Sequence, residues 1–218
     1  MNVKKFERNL MYFMLVFLFV AFIFSIINRT YLHSFLIFLN IAIISLPTFF
    51  KKKFDFSFPA EINIVIIFFV LGGIYLGEVR DFYEVFWWWD SALHLISGVL
   101  LGVIGFMLVY SFNKQNLLVE KKSDGSKVTG VMMSPFFVAF FVFCFAVTMG
   151  VIWEFFEFFV DTFFGATMQP SLEDTMKDLI LDAIGAFFVS VLSYFYLKFD
   201  KESFVSRLLK RFIEDNIE

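Results

Sequence analysis

Six stretches of mostly apolar residues follow one another along this chain, and each is about the 20 residues that a helix needs to cross a bilayer core. They run over 9–28, 31–50, 59–77, 88–112, 134–160 and 175–197. Inside lipid every backbone N–H and C=O must be paired within the span, so stretches of this kind fold as helices. The expectation is an all-α fold: a polytopic membrane protein, a six-transmembrane-helix bundle forming a single integral membrane domain over 1–218. Composition agrees. Hydrophobic residues make up 60% of the chain and mean hydropathy is +0.79, where soluble domains are about 45–50% apolar.

The segments between the spans are short or polar. Lys4, Lys5 and Arg8 precede the first span in the manner of a signal peptide. The apolar run Leu10–Ile27 is too long for one, however, and no small-residue cleavage site follows, so it reads as a retained first helix. Pro59 stands where a helix starts. Residues 113–130 include Lys-Lys-Ser-Asp-Gly-Ser and read as a solvated loop. Beyond Asp200, Phe204, Leu208, Leu209 and Ile213 alternate with charges, the pattern of a short amphipathic surface helix. The single cysteine, Cys144, lies in an apolar run and excludes a disulfide framework. No basic stripe points to nucleic acid.

Positive charge sets the expected orientation. With the N-terminus in the cytoplasm, the inner segments hold Lys4, Lys5, Arg8, the Lys51–Lys53 triplet, Lys114, Lys121, Lys122, Lys127 and the basic residues from Lys198 to Arg211. Only Arg29, Arg80 and Lys177, of 18 basic residues, fall outside. The expected location is the cell membrane, multi-pass, with both termini cytoplasmic.

Acids sit where lipid should be. Asp90, His94, Glu154, Glu157, Asp174, Asp178 and Asp182 lie in or at the ends of the last three spans. A charge at a bilayer centre costs about 2.5–3.5 kcal/mol on insertion scales, so such residues mark a functional site by default. Asp90 and His94 are i, i+4; Glu154 and Glu157 are i, i+3, with Asp161 continuing that face; Asp174, Asp178 and Asp182 are i, i+4, i+8. Each set lines one face of its own helix. Trp87, Trp88 and Trp89 read as an outer aromatic belt. His94 then falls about 8 Å below it at 1.5 Å per residue. The same counting brings Glu154, Glu157, Asp178 and Asp182 to that depth, in the outer third of the bilayer.

Several carboxylates in a water-poor pocket must bind a cation, share protons or face water. Carboxylates with one imidazole suit a divalent metal: Mg²⁺, Mn²⁺, Ca²⁺ or non-haem iron. Glu154 and Glu157 facing Asp178 and Asp182 have the makings of a two-ion site. The Glu-x-x-His signature of di-iron bundles is absent, and nothing suggests an organic cofactor. The metal-ligand set is His94, Glu154, Glu157, Asp174, Asp178 and Asp182, with Asp90, His94 and Glu154 as catalytic candidates. Structural alternatives stand beside this. Asp90 and His94 can pair with each other. Glu157 and Asp174 can be headgroup-level acids, and Asp174 follows Ser171 by three residues, close to a capping box. Asp161 fits a helix end; His33 and the acids Glu78, Asp81 and Glu84 fit a solvated outer rim. Gly98, Gly102, Gly105, Gly150 and Gly185 are small faces that let membrane helices approach.

Taken together, Trp89-Asp90 with His94 and Gly98, then Trp153-Glu154-Phe-Phe-Glu157, then Gln169 before Ser171, and Asp174-Thr175-x-x-Asp178-x-x-x-Asp182-x-x-Gly185-Ala186 resemble the YjdF-like family of multi-pass prokaryotic membrane proteins. The resemblance spans the motif-bearing half, 80–197, and implies a fold and a membrane location rather than a reaction. The functional expectation therefore rests on the acids: a metal-dependent enzyme acting on a lipid or lipid-linked phosphate, with membrane lipids as partners. The alternatives are a proton- or cation-coupled transporter and a non-catalytic accessory protein. A transporter calls for ionisable groups along a whole path or an inverted repeat; here the acids stop at one depth. Against the enzyme, basic residues for a phosphate are few. The topology is directly testable: a membrane-impermeant thiol reagent added outside cells should label Thr167→Cys and miss Ser123→Cys. The reverse pattern overturns the orientation.

Overall fold

The computed structural model describes residues 3–54, 57–118, 133–199 and 204–217. Helices account for nearly all of them, with no strand among the described residues. α1 (Val3–Ile27) and α2 (Tyr31–Phe54) are joined by a tight turn in which Arg29 takes φ 59°. The turn is pinned by polar side chains: Ser25 and Ser34 hydroxyls meet at 2.8 Å, and Thr30 Oγ1 donates to the Ser25 carbonyl at 3.1 Å. α3 (Ala60–Val70) starts directly after Pro59 and continues as a π-helical segment, Leu71–Val79. A single turn, α4 (Phe82–Val85), precedes α5 (Trp89–Leu118). α6 (Pro135–Phe164), α7 (Leu172–Phe199) and α8 (Phe204–Ile217) complete the chain.

Six helical stretches are long and apolar enough to cross a membrane: Val3–Ile27, Tyr31–Lys53, Ala60–Val79, Trp89–Tyr110, Pro135–Phe164 and Leu172–Phe199. These are the six expected spans, mostly lengthened at their ends. Three readings need correction. The polar link at 113–130 is not loop from its start, because α5 runs on to Leu118; its remainder, 119–130, lies outside the described residues. The tail helix does not offer all its apolar residues to the membrane surface, since Leu208, Leu209 and Phe212 of α8 are buried by the protein itself. Trp89 is not simply a belt residue. Its indole N–H donates to the Gly72 carbonyl at 3.1 Å, at the start of the π-helical segment. The Val70 carbonyl just before that segment accepts from Asn40 Nδ2 at 3.2 Å. A change of helical repeat disturbs the regular ladder, and these side chains bond carbonyls beside it.

The chain divides into two compact units. One comprises Met1–Leu93, Val160–Met168 and Glu214–Glu218; the other comprises His94–Phe159 and Gln169–Ile213. The first packs α1, α2, α3 and the π-helical segment around Leu18, Leu36, Ile37, Ile44 and Ile67. In it α6 ends at Phe164, where Gly165 takes φ 68° and donates its N–H to the Asp161 carbonyl at 3.0 Å, a left-handed helix stop.

The second unit carries the acids. Its core holds Val103, Phe106, Met107, Val142, Ala146 and Val189, while Phe140, Phe155, Phe158 and Phe187 face outward. α5 and α7 touch backbone to backbone. A Cβ on Gly98 would collide with the Asp182 carbonyl, and one on Gly185 would stand 2.8 Å from the Val99 nitrogen. Lipid provides no hydrophobic drive between helices, so close approach through small residues is what holds them. α6 joins through Ser190, whose hydroxyl donates to the Ala139 carbonyl at 2.7 Å. Gly98→Ala should therefore lower the thermal stability of the detergent-solubilised protein, by about 1–3 kcal/mol or more for an overpacked contact. Gly72→Ala, whose added Cβ would meet Leu93 Cδ2 at an ordinary 3.5 Å, should change it little. Equal melting temperatures for Gly98→Ala and wild type would contradict this contact.

Candidate functional site

α5, α6 and α7 each bring ionisable side chains to one place in the second unit. His94, Glu154, Asp178 and Asp182 are all buried, and Asp182 is only 1% exposed. His94 Nδ1 lies 3.1 Å from Asp182 Oδ2. With Nδ1 as the donor to Asp182, Nε2 is left to present its lone pair. Nε2 points to Glu154 Oε1, 4.0 Å away. A His94 nitrogen and an Asp178 carboxylate oxygen come within 4.8 Å of each other. Three carboxylates on two helices thus gather round one imidazole on a third.

Neutral side chains fix this arrangement. The Ser97 hydroxyl, one turn along α5, donates to the other oxygen of Asp182 and lies 2.8 Å from the His94 carbonyl. Gly150 of α6 makes room for the same carboxylate: a Cβ there would lie 3.0 Å from Asp182 Cγ and nearer still to Oδ2. Gln169, in the link before α7, uses both amide protons on Glu154. Nε2 donates to Oε2 at 2.7 Å and to the Glu154 carbonyl at 3.0 Å. Glu154 therefore has one oxygen held by an amide while the other looks toward His94.

The remaining sequence candidates fall into distinct settings. Glu157 is buried and accepts from the Trp153 indole N–H at 2.7 Å, one turn back on α6. Asp174 is half-buried in the first turn of α7, where its N–H donates to Ser171 Oγ at 3.1 Å, one half of the expected capping box. Asp90 is half-buried in the first turn of α5, one turn before His94 on that helix. In the first unit, Asp161 closes the bend after α6 by accepting the Met168 N–H at 2.7 Å. His33 there lines a cavity of about 510 Å³ that Arg80 also lines. Ser97 and the spatial roles of Gln169 and Gly150 are what the sequence reading missed. Ser97 had a signal, since Asp90, His94 and Ser97 fall at helical spacing on one face.

Fold and site together define a polytopic all-α membrane protein with a buried histidine–carboxylate cluster. The chain belongs to the family described as "Predicted membrane protein (DUF2238)", whose profile it matches over residues 10–199. This agrees with the YjdF-like motifs. An "Uncharacterized protein" of Thermotoga maritima is 29% identical over 120 residues, covering 55% of this chain and 54% of that protein. The chain thus spans about half the length of the curated relative it matches. No solved structure matches.

Proposed function

We propose that His94 Nε2, Glu154 and Asp178 hold a divalent cation, and that the protein uses it on a lipid or lipid-linked phosphate at the outer face of the cell membrane. The observation that carries this reading is the pair of contacts on His94. Nδ1 lies 3.1 Å from Asp182 Oδ2, and Nε2 faces Glu154 Oε1 at 4.0 Å. A carboxylate behind a histidine is how ligating imidazoles are oriented and made more basic. Two ligands with bonds of about 2.1 Å to one ion stand about 3–4.2 Å apart, so the Nε2–Oε1 gap fits a shared ion. Mixed carboxylate and imidazole donors suit Mn²⁺ or Fe²⁺ best, with Mg²⁺ and Ca²⁺ next.

In this reading Asp182 is a positioning residue, held by Ser97, and Gln169 orients Glu154. Asp90 stands one turn before His94 on the same face of α5. Glu157, bonded to Trp153, and Asp174, at the start of α7, stand outside the ligand set. The bound ion would polarise a phosphoryl oxygen and acidify a water. The chain's own residues fix where that happens and keep the surroundings apolar.

The Ser97–Asp182–His94–Glu154 line is also what a proton-coupled transporter would use. Past Asp182, however, the buried face of α7 consists of Gly185, Ala186, Val189, Ser190 and Ser193, none of them ionisable. No path of acids continues there, which favours a fixed site.

A chelator should lower the melting temperature of the protein in detergent, and re-added Mn²⁺ should restore it. An ion at a hundredfold excess over its Kd adds about 2.7 kcal/mol to the folded state. Glu154→Gln and Asp178→Asn should remain folded and lose that response; Asp174→Asn should keep it. If chelator changes nothing in wild type, the metal reading fails, and the acids form a protonated or partner-binding cluster.

A further inference from the structure

The first unit contains a second polar cavity, of about 440 Å³, lined by Lys4, Arg8 and Lys51 with Glu7 as the single acid. It opens where the start of α1, the last turns of α2 and the start of α3 come together. The lining carries net positive charge, and Met11, Ile44 and Ile67 give it an apolar wall. That polarity fits an anion attached to an apolar body.

A buried amide adds an independent requirement. Asn63 lines the cavity and is 9% exposed. Its Nδ2 donates to Glu7 Oε1 at 2.6 Å and to the Phe58 carbonyl at 3.4 Å. This fixes the amide so that Oδ1 is the remaining acceptor, and Oδ1 is buried without a hydrogen-bond partner among the described residues. Buried acceptors are normally satisfied. The cavity therefore presents cations for a phosphate, and the buried Asn63 Oδ1 in its wall is an acceptor left for a hydroxyl to satisfy. Its wall is held independently: the Ser57 N–H donates to Asn216 Oδ1, and Asn216 Nδ2 donates to the Ser57 carbonyl, both at 2.7 Å.

We propose that this cavity binds the headgroup of an anionic glycerophospholipid bearing a free hydroxyl, with phosphatidylglycerol as the simplest example. The phosphodiester lies against Lys4, Arg8 and Lys51, and the headgroup hydroxyl donates to Asn63 Oδ1. Tyr12, Phe13 and Val16 of α1 are 59%, 65% and 66% exposed, and they form an apolar track for the acyl chains. The lysine triplet puts this end on the cytoplasmic side by the positive-inside rule, so the lipid belongs to the inner leaflet. This site is separate from the histidine–carboxylate cluster and does not depend on the metal reading.

The test is native mass spectrometry of the full chain in dodecylmaltoside, titrated with lipids. One phosphatidylglycerol should stay bound per chain, and phosphatidylcholine should not. Phosphatidylmethanol, which keeps the charge but lacks the hydroxyl, should bind several-fold more weakly. Arg8→Gln and Lys51→Gln should each weaken phosphatidylglycerol binding about fivefold, the effect of one basic residue near an anionic headgroup. Lys52→Gln, exposed and outside the cavity lining, should have little effect. Equal retention of phosphatidylcholine, or an equal loss in Lys52→Gln, would overturn the site. Equal binding of phosphatidylmethanol would overturn the role of Asn63. Displacement by glycerol 3-phosphate at the same concentration as the lipid would reassign the cavity to a soluble phosphate and overturn the lipid proposal.

Discussion

The carboxylate of Asp182 is the point on which the second unit depends. It is 1% exposed on a helix that otherwise reads as a membrane span, and an isolated charge there would not be tolerated. Its surroundings answer that cost from two other helices. α5 supplies His94 and Ser97 as donors, and α6 supplies Gly150, which leaves space for the carboxylate. The backbone contact of Gly98 and Gly185 brings α5 and α7 close enough for those bonds to form. Packing and polarity are therefore one device. Small residues place the helices, and the bonds they permit satisfy the buried acid.

From that arrangement follows the orientation of His94. With Nδ1 committed to Asp182, the other nitrogen has one direction to face, and Glu154 lies there, itself turned by Gln169. Carboxylates that merely titrated at a headgroup surface would need no such support. Glu157 and Asp174 show the contrast: an indole satisfies one, and the other sits in the first turn of its helix beside a serine cap.

Much of this was legible in the chain because the bilayer permits few solutions. Length and apolarity identified all six spans, and helical spacing put His94, Glu154, Asp178 and Asp182 on inward faces. The losses have physical causes. Hydropathy does not mark the residues that end a helix, so α6 ran four residues past its expected stop at Val160, to the left-handed Gly165. The π-helical segment Leu71–Val79 has no proline to announce it. Ser97 is neutral, costs little in an apolar stretch and so raises no alarm, and Gln169 stands in a link outside the spans, although both hold the acids in place. The apolar residues of α8 were visible, but sequence periodicity cannot say whether lipid or protein covers them.

The central claim is that the acids around His94 share a cation, and metal content measures it most directly. Elemental analysis of protein purified without chelator should find about one divalent transition-metal or alkaline-earth ion per chain, and Glu154→Gln, purified identically and still folded, should have lost it. Wild-type protein with no stoichiometric metal, or a variant retaining the full amount, would contradict the account.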